Sequence, residues 1–238
     1  MSYQRNQARL FFDIESCANP ETCALMPEPV VSAPSNYKDP VKIEEYVRAE
    51  TEKRKAEALD RAALDPDYGK ILSIGFSLGE EIHVLTNIDL YPRPESPDEP
   101  WETPAHALSE VGLLMAFWNA FAACNGNCIG YNILGFDLPY LLRRSMALCV
   151  PVPFVPNLAK FRTEPVTDLM MILYNWGSQT YKGLKQVARI YGLPNDCPDV
   201  DGSQVAGLDV ETLIAYQASD VRLCMELYQR MNGVYFRH

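Results

Sequence analysis

Leu10-Phe11-Phe12-Asp13-Ile14-Glu15 is the stretch on which the fold turns: an apolar run of strand length from Leu10 to Ile14, with Asp13 and Glu15 spaced two apart at its end. Residues two apart on a β-strand point to the same face, so both carboxylates are expected to emerge side by side at the strand's C-terminal end. Clustered carboxylates repel unless a cation sits between them. Two further stretches supply more of the same chemistry. In Gly130-Tyr131-Asn132-Ile133-Leu134-Gly135-Phe136-Asp137, the aspartate opens a helix through Leu141, Leu142 and Met146, just after a strand from Asn127 to Tyr131. In Tyr216-Gln217-Ala218-Ser219-Asp220, the aspartate lies on a helix over Val210 to Arg230 whose apolar positions include Leu213, Tyr216, Leu223 and Leu227. Tyr216 and Asp220 are four apart and share a helix face. Hard divalent cations such as Mg²⁺ favour oxygen ligands of this kind and keep several waters.

Between these stretches the pattern is that of a mixed α/β chain. Pro-rich text from Asn19 to Pro40 leads into a charged, helix-like stretch from Val41 to Leu64, too poor in apolar anchors to be core and therefore exposed or partner-facing. Ile71 to Leu78 and Glu81 to Thr86 read as two strands joined by a turn containing Gly79. Leu90 to Pro104, with five prolines among acidic residues, reads as a flexible loop. Ala105 to Ala123 reads as a strongly apolar helix. A proline-rich loop from Val150 to Pro165 precedes a short strand near Val166, a helix from about Thr180 to Tyr191, a turn-rich segment to Gly207 and the last helix. Early strands with helices interleaved later predict a mixed sheet flanked by helices, with an insertion at about residues 18–69.

Each motif alone has an ordinary structural reading. Asp-x-Glu at a strand end is common, aspartate favours helix N-termini through capping and the helix dipole, and Tyr-x-x-x-Asp arises by chance on many helices. In order, and on a strand, a helix start and a helix, the three suggest a two-metal phosphodiesterase site. Phe-Asp-Ile-Glu, Tyr-Asn-x-x-x-Phe-Asp-Leu-Pro and Tyr-x-x-x-Asp resemble the three motifs of the DEDD 3′–5′ exonucleases, in the subgroup with tyrosine in the third motif. The likeness is to the proofreading exonuclease domain of family-B DNA polymerases and its stand-alone relatives, over Arg9 to Ser16 and Ile71 to Met231. Thr167-Asp168-Leu169-Met170, Gly183-Leu184-Lys185-Gln186-Val187-Ala188 and Asp201-Gly202-Ser203-Gln204-Val205 sit where such domains carry similar segments. The histidine subgroup would need histidine at the position of Ala215, and His83, His106 and His238 are all remote from it in sequence.

The resemblance implies a ribonuclease H-like sheet and two divalent cations, Mg²⁺ or Mn²⁺, held by Asp13, Glu15, Asp137 and Asp220. Such a pair, roughly 3.5–4 Å apart, stabilises both the attacking and the leaving oxygen of an in-line displacement. By the same resemblance Asp13 bridges the metals, Glu15 and Asp220 complete the nucleophile-side site, Asp137 holds the second metal mainly through water, and Tyr216 orients the attacking water. Asn132 and Phe136 are either contacts to the terminal sugar and base, or a turn residue and a core aromatic. Asp168 is expected outside the site, capping the segment that follows. Arg143, Arg144, Lys182 and Lys185 are either a local basic patch for phosphates or an ordinary solvated face. The implied activity is release of nucleoside monophosphates from 3′ ends of single-stranded DNA. Two alternatives stay open: an RNase D-like enzyme acting on RNA, and a non-catalytic nucleic-acid-binding or polymerase-partner module. Proofreading would require a separate polymerase, because the chain carries no polymerase domain.

Composition bounds these readings. At 238 residues, 47% hydrophobic and 22% charged, the chain can bury one sizeable core. A net charge of −10 argues against a broad nucleic-acid-coating surface, whose strength comes from neutralising phosphates, but not against an enzyme that grips a few terminal nucleotides. The seven cysteines show no paired Cys-x-x-Cys spacing; Cys124 and Cys128 read as small apolar core groups, and a reduced, cytoplasmic setting is expected. The polar start Met1-Ser2-Tyr3-Gln4-Arg5-Asn6-Gln7 lacks a signal-peptide core, and no apolar run approaches a membrane span. The insertion leaves the sheet just after Glu15. It is read as a lid or guide for the substrate strand in preference to a docking arm or a surface elaboration.

Overall fold

The computed structural model describes residues 8–91, 103–195 and 202–236. The heptapeptide at the start, most of the proline-rich stretch after Leu90, and Asp201 therefore lie outside the described residues. Ser16–Lys70 forms one compact unit and the remaining described chain another.

A six-stranded mixed sheet in the order β4-β3-β2-β1-β5-β6 organises the larger unit. Its strands are β1 (Leu10–Ala18), β2 (Gly69–Ser77), β3 (His83–Asn87), β4 (Ala107–Leu108), β5 (Cys128–Gly130) and β6 (Val166–Asp168). β1, β5 and β6 run parallel to one another, whereas β2 and β3 are antiparallel. Period-two alternation divides the apolar residues between the two faces. Leu10, Phe12 and Ile14 join Cys128 and Val166 in one core, against α3 (Glu110–Ala123) and α4 (Asp137–Ala147). Phe11 and Ile129 face the other core, with α5 (Leu169–Leu173), α6 (Leu184–Tyr191) and α7 (Val210–Asn232). Phe117, Trp118 and Phe121 are almost wholly buried, and burial of a side chain of that kind contributes about 1.5–3 kcal/mol. Cys124 and Cys128 are buried as small apolar groups, as expected.

Several boundaries depart from the sequence reading. Asp13 and Glu15 stand inside β1 and not at its end, because β1 continues to Ala18. The register Leu10↔Cys128 and Phe11↔Ile129 sets Gly130, the last residue of β5, beside Phe12, so Asp13 is the first residue of β1 beyond its shorter parallel neighbour. The apolar helix begins at Glu110, not Ala105: Ala107 and Leu108 pair with Thr86 and Asn87 of β3, and Ser109 caps the helix by accepting from the Gly112 N–H. The helix expected from Thr180 starts only at Leu184, after a segment whose Lys182 carbonyl accepts from the Tyr131 hydroxyl. The short α5 was not anticipated.

In the smaller unit, α1 (Pro20–Cys23) and α2 (Pro40–Arg61) are capped by Asn19 and Asp39. α2 has no buried residue, which agrees with the exposed helix expected there. Exposed pairs such as Arg54–Glu50 and Lys53–Glu57 run along it, each worth about 0.2–0.5 kcal/mol.

Candidate active site

The face of β1 that carries Phe11, Asp13 and Glu15 is the face on which α7 packs. Gly75 on β2 permits the close approach, since a Cβ there would stand 2.7 Å from Cγ of Gln217 and 2.9 Å from Val221. From α7, Tyr216, Gln217 and Asp220 are all buried. Ligand oxygens of Asp13, Glu15 and Asp220 lie within 4.8 Å of one another. Asp137 joins them from the first turn of α4, with Oδ1 accepting the Ile14 backbone N–H at 3.1 Å, between the two β1 carboxylates.

Electrostatics mark this cluster as unfinished. Burial, with repulsion from Asp137, Glu15 and Asp220, raises Asp13 well above the usual carboxylate range. Burial first, then repulsion from Asp220 and Asp137, raises Glu15 to about 8. Burial likewise lifts Asp137 to about 7, against the pull of the Ile14 N–H, and Asp220 to about 6, opposed by the Lys185 charge and the Tyr216 hydrogen bond. Oδ1 of Asp220 is buried without any hydrogen-bond partner. An oxygen left so and mutual repulsion on this scale fit a divalent cation, which supplies the missing contact and cancels the charge.

Tyr216 hydrogen-bonds Asp220, and Lys185 Nζ stands 3.6 Å from the centre of the Tyr216 ring. Lys185 is thus brought to the carboxylates. Lys182 stands farther along the same segment, 5.1 Å from the Tyr174 ring. Arg144 is not part of a basic patch: it is 3% exposed and forks onto both carboxylate oxygens of Glu110 at 2.8 Å, while Arg143 is exposed on α4. Asn132 is a turn residue with φ +65°, and Phe136 precedes α4, 5.2 Å from the Tyr140 ring and packed on the first core.

Sequence reasoning missed Gln217. Its Nε2 donates to Asp13 Oδ2 at 2.7 Å and its Oε1 accepts from the Ser73 hydroxyl at 2.5 Å, with both residues fully buried. The available signal was its spacing, three residues before Asp220 and so on the same face. Asp168 caps α5 by accepting from the Met171 N–H, as expected. It also accepts from the N–H groups of Asn132 and Leu134, tying down the turn that delivers Asp137.

Among solved structures, the chain is similar to the family B DNA polymerase from the hyperthermophilic archaeon Pyrobaculum calidifontis. The TM-score is 0.57 at 17% identity, over 97% of this chain and 25% of that one. The chain therefore spans about a quarter of the polymerase's length, and the aligned part takes in residues of 16–70 that the sequence resemblance had left out. That likeness carries the fold: a ribonuclease H-like mixed sheet flanked by helices. No curated protein sequence matches. A family model described as a predicted 3′–5′ exonuclease related to the exonuclease domain of PolB matches residues 99–234, a span that holds Asp137, Tyr216 and Asp220 and begins after Asp13 and Glu15. With more than half of its length in that match, and the sheet of such a domain beneath it, the chain belongs to the family of predicted 3′–5′ exonucleases related to the exonuclease domain of PolB.

Proposed function

We propose that the chain is a metal-dependent 3′–5′ exonuclease of the tyrosine DEDD subgroup, releasing nucleoside monophosphates from single-stranded DNA ends. The observation that carries this reading is the convergence of Asp13, Glu15 and Asp220 within 4.8 Å, with an orphaned buried oxygen on Asp220. Asp13, Glu15 and Asp220 would hold one cation and Asp137 would serve a second. Mg²⁺ or Mn²⁺ bound there supplies Lewis-acid stabilisation of the charge that develops on the phosphate and its leaving oxygen.

The chain's own groups do the positioning. Tyr216, anchored to Asp220, presents its hydroxyl to the attacking water. Lys185, over the Tyr216 ring, holds that ring in place and offers its charge to the terminal phosphate, with Lys182 in the segment just ahead of α6. Asn132 and Phe136, on the turn ahead of Asp137, are assigned to the terminal nucleotide. Cys23, Cys124, Cys128, Cys149 and Cys224 are thiols outside any disulfide, which suits a reducing compartment such as the cytoplasm, and no helix among the described residues is long and apolar enough to cross a membrane.

The test uses end-labelled single-stranded DNA and RNA with Mg²⁺, Mn²⁺ or EDTA, beside a circular single strand. Stepwise shortening from the 3′ end of DNA, abolished by EDTA, is expected. Degradation of the circle or undiminished activity in EDTA would overturn the reading, and a preference for RNA would move the substrate to the RNase D-like alternative.

A further inference from the structure

Resting on the exonuclease reading, we propose that a strip of aromatic and cationic side chains leading from Tyr216 to Phe161 is the track for the single-stranded polynucleotide on the 5′ side of the terminal nucleotide. The strip is made of three groups of ring contacts that lie close to one another along the chain. Lys185 lies over Tyr216 at 3.6 Å, Lys182 lies over Tyr174 at 5.1 Å, and Tyr174 meets Tyr181 edge-on at 6.0 Å. Two residues beyond Tyr174, the Trp176 ring stands 5.3 Å from that of Phe161.

The outer pair has no part in either core. Phe161 is 73% exposed, between Lys160 and Arg162, which are exposed as well. The backbone is left-handed at Phe161 (φ +63°), Asn175 (φ +46°) and Trp176 (φ +54°), a conformation that is costly for bulky side chains and that concentrates at functional sites. Phe161 is thus held out towards solvent beside the half-buried Trp176, both on strained backbone, in a place where burial does not repay the Phe161 ring. Although the chain's net charge is −10, Lys160 and Arg162 flank Phe161 with positive charge. Flat rings interleaved with cations match single-stranded nucleic acid, whose bases stack on the rings while its phosphates meet the charges.

The test compares the full-length chain with Phe161→Ala, Trp176→Ala, Trp176→Phe and the double variant Lys160→Glu/Arg162→Glu. Binding of fluorescent dT12 and rU12 is followed by anisotropy in Ca²⁺, and hydrolysis of the p-nitrophenyl ester of thymidine 5′-monophosphate, which fills only the terminal position, is followed in Mn²⁺. Each ring-to-alanine change should weaken 12-mer binding roughly tenfold and leave ester hydrolysis unchanged. Trp176→Phe should stay near wild type, and the charge reversal should weaken binding and flatten its salt dependence. Wild-type affinity in both alanine variants, or no 12-mer binding by the wild type, overturns the track. If an alanine variant fails to fold, the charge reversal carries the test, and unchanged affinity there overturns it equally. Should the wild type hydrolyse nothing, the exonuclease reading fails by itself; 12-mer binding that depends on Phe161 and Trp176 would still uphold the track.

Discussion

Asp220 has a buried oxygen that accepts no hydrogen bond and two carboxylate neighbours that repel it. Removing one of these charges therefore relieves strain in the metal-free protein while destroying a ligand. Asp13→Asn and Asp220→Asn should each bring hydrolysis to near background and weaken Mn²⁺ binding, with no drop in the melting midpoint measured in EDTA. Equal activity in folded Asp13→Asn and wild type would refute the site. Tyr216→Phe leaves every carboxylate in place and removes one hydroxyl, so Mn²⁺ titration should be unchanged and the rate should fall by ~10²–10⁴-fold at most. Gln217 acts one step behind: it donates to Asp13 and accepts from Ser73. Gln217→Leu orphans the Ser73 hydroxyl and frees Asp13, which should cost about 1–3 kcal/mol in urea unfolding and weaken Mn²⁺ binding. Normal Mn²⁺ affinity in this variant would limit Gln217 to packing.

At the scale of elements, the link from β5 to α4 is a turn that would otherwise leave two backbone N–H groups to solvent. Asp168, at the end of β6, takes the N–H groups of Asn132 and Leu134 and, through the cap of α5, that of Met171. An asparagine there keeps the oxygen that serves Asn132 and Met171 and turns a donor on the Leu134 N–H. Asp168→Asn should cost about 1–3 kcal/mol and speed hydrogen exchange at the Leu134 amide, with activity reduced through the displaced Asp137. On the opposite face of the sheet, Glu110 accepts from both Arg144 and the Ile71 N–H, so α3, α4 and β2 meet at one buried ion pair. Breaking such a pair by removing one partner costs about 3–5 kcal/mol. Arg144→Met is thus expected to lower stability by that order while leaving the salt dependence of oligonucleotide binding untouched, which separates it from the phosphate-binding role considered for it.

At the scale of the whole molecule, the carboxylate cluster sets a pH dependence. Glu15 at about 8, Asp137 at about 7 and Asp220 at about 6, with Asp13 raised as well, all lie above the ordinary carboxylate range near 4 that an unfolded chain would show. The folded state therefore holds protons that the unfolded state has released, and the stability they represent is lost as pH rises through 6 to 8. A cation bound to the ionised cluster offsets that loss and stabilises more as the ligands deprotonate. The melting midpoint in EDTA should fall between pH 5.5 and 8.5, and the gain on adding Mg²⁺ should be larger at pH 8.5. A midpoint in EDTA that stays level or rises over that range would contradict the cluster's electrostatics.

Local pattern alone was enough for the strands around Asp13 and Ile74, the helices carrying Asp137 and Asp220, the exposed α2 and the capping role of Asp168, because period two, period 3.6 and side-chain capping act over a few residues. The same pattern singled out Asp13, Glu15, Asp220, Tyr216 and Asp137 as the groups to bring together. What it left undecided depends on partners remote in sequence. The overhang of β1 past β5 follows from where Asn132 turns the chain away. The late start of α3 follows from β4 pairing with β3, and the role of Arg144 from Glu110 on another helix. The hold of Gln217 on Asp13 needs a glycine on β2 to admit α7, a contact between residues 142 apart in sequence. Short-range spacing carries the chemistry of each segment, but which charge is buried, paired or left orphaned is a matter of distance and desolvation in three dimensions.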